Sequence, residues 1–430
     1  MKFLKKIVVI ILTWEARMVL LRAKPRIIAV TGSVGKTTTK DAIYAALCAH
    51  LHIRKSDKSL NSDIGVPLAI LGLENGWSDP LKWTMNIIQG FLLAAFPSDY
   101  PHWLVLEVGA DRPGDIRNIA RWLRPDIAVI TAVPEIPVHV EFFDSPAAVL
   151  REKRSLAEHL KPGGKLIING DDPHMSDLRS DFRGLIVTYG FEDHNDFFSS
   201  HDEVLYEANV PTGIRFRVNH SGSSVPVSVY GALGRPRIYA ALAALAVASA
   251  VGVDEVSASA ALAVWAPPPG RMRLLTGVRG SIIIDDTYNS SPAAALAALD
   301  TLASLKAAGR KIAMMGDMLE LGKYSADAHK EVGERIAVSA SMLITVGFRA
   351  RLMAEAALDA GMSDEVVRSY EQGEAERAGL ELEKEIKEGD VILIKGSQSI
   401  RMERAVEVLL AEPQKAAEHL VRQEEEWKER

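Results

Sequence analysis

Residues 26–40, RIIAVTGSVGKTTTK, constrain this chain more than any other stretch. The apolar run Ile27, Ile28, Ala29, Val30 reads as a short buried strand, and the segment from Thr39 to about His50 reads as a helix. Between them lie Gly32, Ser33, Val34, Gly35, Lys36, Thr37 and Thr38. A strand, a glycine-bearing loop and a helix N-terminus together form an anion site. Glycines let backbone N–H groups close round oxygens, the helix dipole favours negative charge, and Lys36 adds a mobile cation. Thr37 is placed to give its hydroxyl to Mg²⁺. The spacing is GxxGKTT, whereas the commoner phosphate loop has a glycine where this chain has Val30. A turn that merely contains a lysine is the plainer alternative. The strand before, the helix after and the threonines that follow Lys36 weigh against it.

The chain has 430 residues, enough for about two or three domains, and its apolar content of 48% allows real cores. Net charge is −6, with no Lys/Arg-rich block beyond the first six residues, so nucleic acid is not an expected partner. A lone cysteine, Cys48, excludes an intrachain disulfide and is expected to pack within the helix after the loop.

The N-terminus starts like a signal peptide. Its uninterrupted apolar run covers only residues 7–12, Glu15 and Arg17 follow, and no small-residue cleavage site appears. It is also too short and too charged to span a bilayer. Leu4, Ile7, Val8, Ile11, Trp14, Met18 and Leu21 fit one helical stripe. Two readings stand. The helix packs on the protein's own core, or residues 2–23 make a peripheral membrane contact with Lys2, Lys5 and Lys6 facing anionic lipid.

Further along, residues 83–96 are apolar enough for a buried helix. Residues 103–106 form a strand with Glu107 at its C-terminal end, where open α/β sheets place their ligands. A carboxylate there suits Mg²⁺ or its water; the alternative is a turn cap. His139 follows another strand on the same edge, which suggests a metal or phosphate role over a purely structural one. Lys153 sits in a helical segment beside Arg151, Glu152 and Arg154 and reads as part of a solvated face. Residues 182–230 alternate in short runs, as a β-rich edge does. The run Ala266, Pro267, Pro268, Pro269, Gly270 is the strongest linker signal. Beyond it strand and helix alternate again, and residues 412–430 read as a charged, solvated helical tail. The expected fold is α/β: a P-loop-type central ATPase domain over residues 25–266, then a smaller, doubly wound, Rossmann-like domain over 267–411, preceded by the amphipathic helix of residues 1–24.

These residues resemble the Mur ligase family over about residues 26–408. The resemblance rests on TGSVGKTTTKD, NSDIGVPLAIL, LEVGADRPGDI, HVEFFDS, NGDDP, PPPGRMR, DDTYNSSP, GDMLELG and KGSQSIRMER, in that order. The loop alone would also fit folylpolyglutamate synthases; the last two motifs point to the branch that adds D-alanyl-D-alanine. The resemblance implies an ATP- and Mg²⁺-dependent carbon–nitrogen ligase of peptidoglycan precursor synthesis, cytoplasmic and monomeric. Such an enzyme phosphorylates a muramoyl-peptide carboxylate, and the amine of D-alanyl-D-alanine then attacks the acyl phosphate.

The resemblance implies that Gly32, Ser33, Gly35, Lys36, Thr37 and Thr38 hold the phosphates, with Arg271, Asp286 and Asn289 closing over the nucleotide. Thr37, Glu107 and His139 would serve the metal, and Asp317, Glu320, Lys395 and Ser397 the substrates. Lys153 matches a lysine that is carbamylated in several members, which competes with its solvated reading. Three departures stand out. Pro236 and Arg237 replace a His-Asn pair, which puts the usual nucleotide contact in question. Ser291 replaces an Asn. The family's N-terminal uridine-nucleotide domain has no counterpart before residue 26. A ligase acting on a lipid-linked or other non-UDP substrate, or a nucleotide-binding module without ligase activity, are the alternatives.

Overall fold

The first strand, β1 (Arg26–Thr31), sends Ile28 and Val30 into one apolar core and Ile27 and Ala29 into another. That period of two, apolar on both sides, is what a parallel strand covered on both faces requires. A computed structural model describes residues 2–57 and 60–428, the side chains of residues 2–5 and 428 excepted. The readings placed on Lys2, Leu4 and Lys5 therefore fall outside the described side chains. Eight more strands join β1: β2 (Ile53–Lys55), β3 (Trp103–Glu107), β4 (Ile127–Ile130), β5 (Lys165–Asn169), β6 (Leu185–Gly190), β7 (Phe197–Glu207), β8 (Val210–His220) and β9 (Ser223–Tyr230). Their order is β2-β3-β1-β4-β5-β6-β7-β8-β9, parallel as far as β7 and antiparallel from there, which is the β-rich edge expected over residues 182–230.

The first six helices are α1 (Lys2–Ala23), α2 (Lys36–Leu47), α3 (Gly65–Leu71), α4 (Pro80–Ala95), α5 (Asp115–Leu123) and α6 (Pro146–Glu158). α2 and the helix Arg235–Val251 cover one sheet face, and α1, α3, α5 and α6 cover the other. β1 lies between β3 and β4: the chain builds β2 and β3 on one side of it and then crosses to β4 on the other, so its end is a topological switch point. Val30 lies opposite Glu107, and Thr31 opposite Ile130, which brings three strand ends to one edge.

After residues 266–270 a second sheet forms from β10 (Arg273–Thr276), β11 (Ile282–Asp286), β12 (Lys311–Gly316), β13 (Met342–Val346), β14 (Val367–Tyr370) and β15 (Val391–Lys395). Its order is β10-β11-β15-β12-β13-β14, all parallel except β10. Both sheets are thus the α/β layers that the alternation of strand and helix required.

Three expectations are corrected. α1 does not bury the stripe through Ile7, Trp14 and Leu21: those side chains are exposed, and Leu12, Ala16 and Val19 face the core. α4 is not a buried helix, for only Asn86, Gly90 and Ala94 are buried along it. An apolar sequence alone cannot say which flank the neighbours will cover. The tail is not simply solvated, because Arg422 is buried, pairs with Glu403 at 2.9 Å and donates to the carbonyls of Thr287 and Tyr288. Among the described residues, no helix is long and apolar enough to cross a membrane.

Candidate active site

The loop between β1 and α2 is held open by backbone conformations that only glycine adopts without strain. Gly35, the N-cap of α2, has φ 85°, and Gly32 has φ 140° with Thr131 Oγ1 only 1.9 Å from where a Cβ would stand. The N–H groups of Ser33 and Val34 both donate to the Ala132 carbonyl, at 3.0 and 3.2 Å, which fixes the loop to the end of β4. The first-turn N–H groups of α2 have no partner within the helix, and this is where an anion is favoured.

A cavity of about 360 Å³ opens over this loop, lined on one side by Ser33, Gly35, Lys36, Thr38, Glu107 and His139. The second domain supplies Asp286, Asn289 and Lys395 on the other, and Arg271 enters from the linker. Thr37 donates its hydroxyl to Glu107 Oε2 at 2.8 Å, Asn61 donates to Glu107 Oε1 at 2.8 Å, and Arg271 Nη2 donates to Thr37 Oγ1 at 3.2 Å. The Arg271 guanidinium also lies 3.9 Å from the centre of the Tyr288 ring. Asp285 and Asp286 hold the linker that carries Arg271. Asp285 accepts from Gly270 N at 3.0 Å, and Asp286 accepts from Met272 N at 3.1 Å. Gly270 has φ 66° and leaves no room for a side chain, since a Cβ would stand 2.8 Å from Tyr288 N. Lys395 closes the arrangement, donating to Asp286 Oδ2 at 2.6 Å and to the Asn289 carbonyl at 2.9 Å.

Burial lowers the Lys36 ammonium pKa, and the Arg271 charge lowers it further while Glu107 opposes both. Burial of Asp285 pushes its carboxyl up to about 6, against hydrogen bonds from Thr287 and Gly270. Lys153 is not on a solvated face. The residue is 1% exposed, and burial, with Lys36 next in effect, pushes its ammonium down to about 7. Its neighbour Glu152 explains the geometry, for it accepts from Gly114, Ile116 and Arg117 N and so caps α5. Holding Glu152 against α5 turns the adjacent residue inward.

His139 lines the cavity, but its ring reaches other carboxylates than Glu107. Nδ1 lies 2.6 Å from Glu320 Oε2, across the domain boundary, and Nε2 lies 3.7 Å from Asp111 Oδ1. Contact with His139 holds the Glu320 carboxyl below its usual range. Asp317 and Ser397 are buried in the second domain and line no part of the cavity: Asp317 accepts from Ala350 N at 2.7 Å, and Ser397 Oγ accepts from Leu319 N at 2.9 Å. Sequence reasoning assigned no role to Asn61, Asp111, Asp285 or Tyr288. All four lie within the motifs quoted above, which is the available signal. Arg237 is fully buried beside the cavity, donates through Nη2 to the Arg271 carbonyl at 2.8 Å and stacks on Trp265. Ser291 caps the helix Pro292–Ser304.

Mg²⁺ prefers one or two carboxylates with phosphate oxygens and water. Thr37 Oγ1 and Glu107 Oε2, hard oxygen donors 2.8 Å apart beside Lys36, fit one such ion without a dedicated cage, and no cluster of three acidic, His or Cys ligands occurs among the described residues.

A phosphate loop on one α/β sheet, closed by a second α/β domain that contributes its own side chains, defines a two-domain nucleotide-using enzyme. Residues 30–248 match the model of the Mur ligase middle domain, and residues 270–398 match that of the Mur ligase glutamate ligase domain. The chain belongs to the Mur ligase family. It is 30% identical over 389 residues to the UDP-N-acetylmuramoyl-tripeptide–D-alanyl-D-alanine ligase of Bacillus subtilis, an alignment covering 90% of this chain and 76% of that one. MurF ligase from Thermotoga maritima in complex with ADP superposes with a TM-score of 0.76 at 28% identity, covering 95% of this chain and 84% of the other. Folylpolyglutamate synthase of Mycobacterium tuberculosis shares the fold, with a TM-score of 0.63 at 17% identity over 92% of this chain and 94% of that chain.

Proposed function

We propose that this Mur ligase joins D-alanyl-D-alanine to a muramoyl-peptide in peptidoglycan precursor synthesis, using ATP and Mg²⁺. A carboxylate resists amines because oxide is a poor leaving group. Transfer of the γ-phosphoryl of ATP to the carboxylate gives an acyl phosphate and ADP. The amine attacks its carbonyl carbon, the C–O bond to phosphate breaks, an amine proton is lost, and amide and inorganic phosphate leave.

The observation that carries this reading is the junction of Thr37, Glu107 and Arg271 at the mouth of the phosphate loop, with both domains converging on it. In our reading Lys36 and the first-turn amides of α2 hold the β- and γ-phosphates, and Thr37 and Glu107 hold Mg²⁺. An ion bound there would supply charge neutralisation for the transferring phosphoryl. Arg271, anchored through Gly270 and Asp285, stabilises charge on the transferring group, and Asp286, Asn289 and Lys395 close the nucleotide side. His139 and Glu320 latch the domains, which keeps water from the acyl phosphate. Lys153, partly neutral at physiological pH, is suited to carbamylation, and the product carbamate would lie beside Lys36. Asp317 and Ser397 shape the second domain from behind.

The chain acts as a monomer in this account. A second reading, in which a lipid carries the carboxylate and α1 touches the membrane, is favoured by the exposed apolar side of α1. The test is phosphate release from ATP and Mg²⁺ with UDP-muramoyl-tripeptide, D-alanyl-D-alanine added or withheld, and the product read by mass. Release that needs both supports the first reading. Release only with a lipid-linked acceptor supports the second. No release with either sinks the ligase assignment.

A further inference from the structure

Nine of the eighteen large apolar side chains left exposed among the described residues belong to just two helices, α1 and α4, and a tenth, Phe96, is the C-cap of α4. On α1 they are Ile7, Ile10, Trp14 and Leu21, spaced as a single helical line, with exposed Arg17 on the same line. On α4, Leu81, Met85, Ile88 and Leu92 form a second line, with Phe91 and Phe96 beside it. Leu81 is 75% exposed and Ile10 67%, so these are whole side chains in water and not edges of the core. The helices pack on each other: Glu15 of α1 occupies the space at Gly90 of α4, and Arg22 donates to the carbonyls of Ala94 and Ala95. An apolar patch of this extent marks an interaction surface.

Charge selects the partner. Residues 1–26 carry seven basic residues and one acid in a chain of net charge −6, and the single acid, Glu15, is buried between the helices. Lys6, Arg17, Arg22 and Lys24 are exposed around the apolar line. An apolar face bordered by cations, with a tryptophan on it, is complementary to an anionic lipid surface: the side chains enter the acyl boundary while Lys and Arg heads stay with the phosphates. A second copy of the chain would set these cations against each other.

We propose that the outer faces of α1 and α4 form one docking platform for an anionic bilayer surface. The platform extends the α1 contact to a second helix and does not depend on which peptide the site ligates.

The test is co-sedimentation of the full chain with phosphatidylcholine vesicles with and without phosphatidylglycerol. The chain is expected to pellet with the anionic vesicles and to dissociate as salt screens the basic residues. The pair Ile10→Glu and Ile88→Glu, and separately the pair Lys6→Glu and Arg17→Glu, should each cut the bound fraction by about tenfold. Thermal melting and phosphate release on soluble substrate should stay unchanged in both, which separates lost docking from misfolding and from failure of the ligase reading. Trp14→Phe should remove the vesicle-induced blue shift of tryptophan emission. A chain that stays in the supernatant at low salt overturns the platform. So does concentration-dependent self-association that Ile10→Glu and Ile88→Glu abolish in the absence of lipid, since the face would then belong to a second copy.

Discussion

Removing bicarbonate at constant pH takes away the reagent with which the Lys153 amine would react, and leaves every side chain in place. With its pKa pushed down to about 7, Lys153 is about three-quarters neutral at pH 7.5, against about one part in a thousand for an ordinary lysine. Only the neutral amine attacks CO₂, and burial raises the neutral fraction by roughly 700-fold at that pH. At pH 6.0 the neutral fraction falls to about a tenth, and carbamate formation should slow about eightfold. The assay is ¹³C NMR of the protein in ¹³C-bicarbonate, with phosphate release followed in parallel. A carbamate signal is expected that Lys153→Met abolishes, together with activity that falls on CO₂ depletion and returns on bicarbonate addition. The stability sign follows from the same shift. The unfolded chain binds this proton more tightly, so Lys153 contributes least to folding below about pH 7 and its contribution rises up to the ordinary lysine pKa. Lys153→Met should therefore gain stability relative to the parent as pH falls from about 10 to 7. An amine that titrates near 10 and gives no carbamate would refute the reasoning.

Other outcomes follow from the geometry. Lys36→Ala should lower turnover by at least about 100-fold while the protein melts normally, as read by phosphate release and calorimetry. Gly270→Ala places a side chain at φ 66° against Tyr288, and should cost about 1–2 kcal/mol and raise the KM for ATP through a displaced Arg271. Glu15 is buried without a partner for Oε2, and burial pushes its carboxyl up to about 7. The folded state thus holds this proton above the unfolded carboxylate range, and stability is lost as pH rises through 7. Glu15→Gln should raise Tm at pH 8 by roughly 2 °C, with the gain vanishing below about pH 4.5.

What the sequence disclosed was local. The loop from Gly32 to Thr38 could be read because strand, glycines, lysine and helix start are contiguous, and Glu107 because it ends a strand at the ligand edge. Lys153 could not be placed by its neighbours, since three flanking charges suggest solvent. Only the fold shows that Glu152 is spent capping α5 and that its neighbour turns inward. α4 reads as buried because apolar composition cannot say that its outer flank meets no other element. Arg422 looks like tail charge until the fold brings Glu403 and two carbonyls to it. The linker illustrates the same limit: Pro267 to Gly270 announced a break in the chain, while the contact of Arg271 with Thr37 joins segments 234 residues apart.

The central claim is that a carboxylate is activated by phosphorylation before amine attack. Labelling the muramoyl-peptide carboxylate with ¹⁸O and analysing the released phosphate by mass tests it directly. The account predicts one ¹⁸O atom in the phosphate for each amide formed, because the oxygen that leaves with phosphorus comes from the substrate. Amide formed with unlabelled phosphate would contradict it.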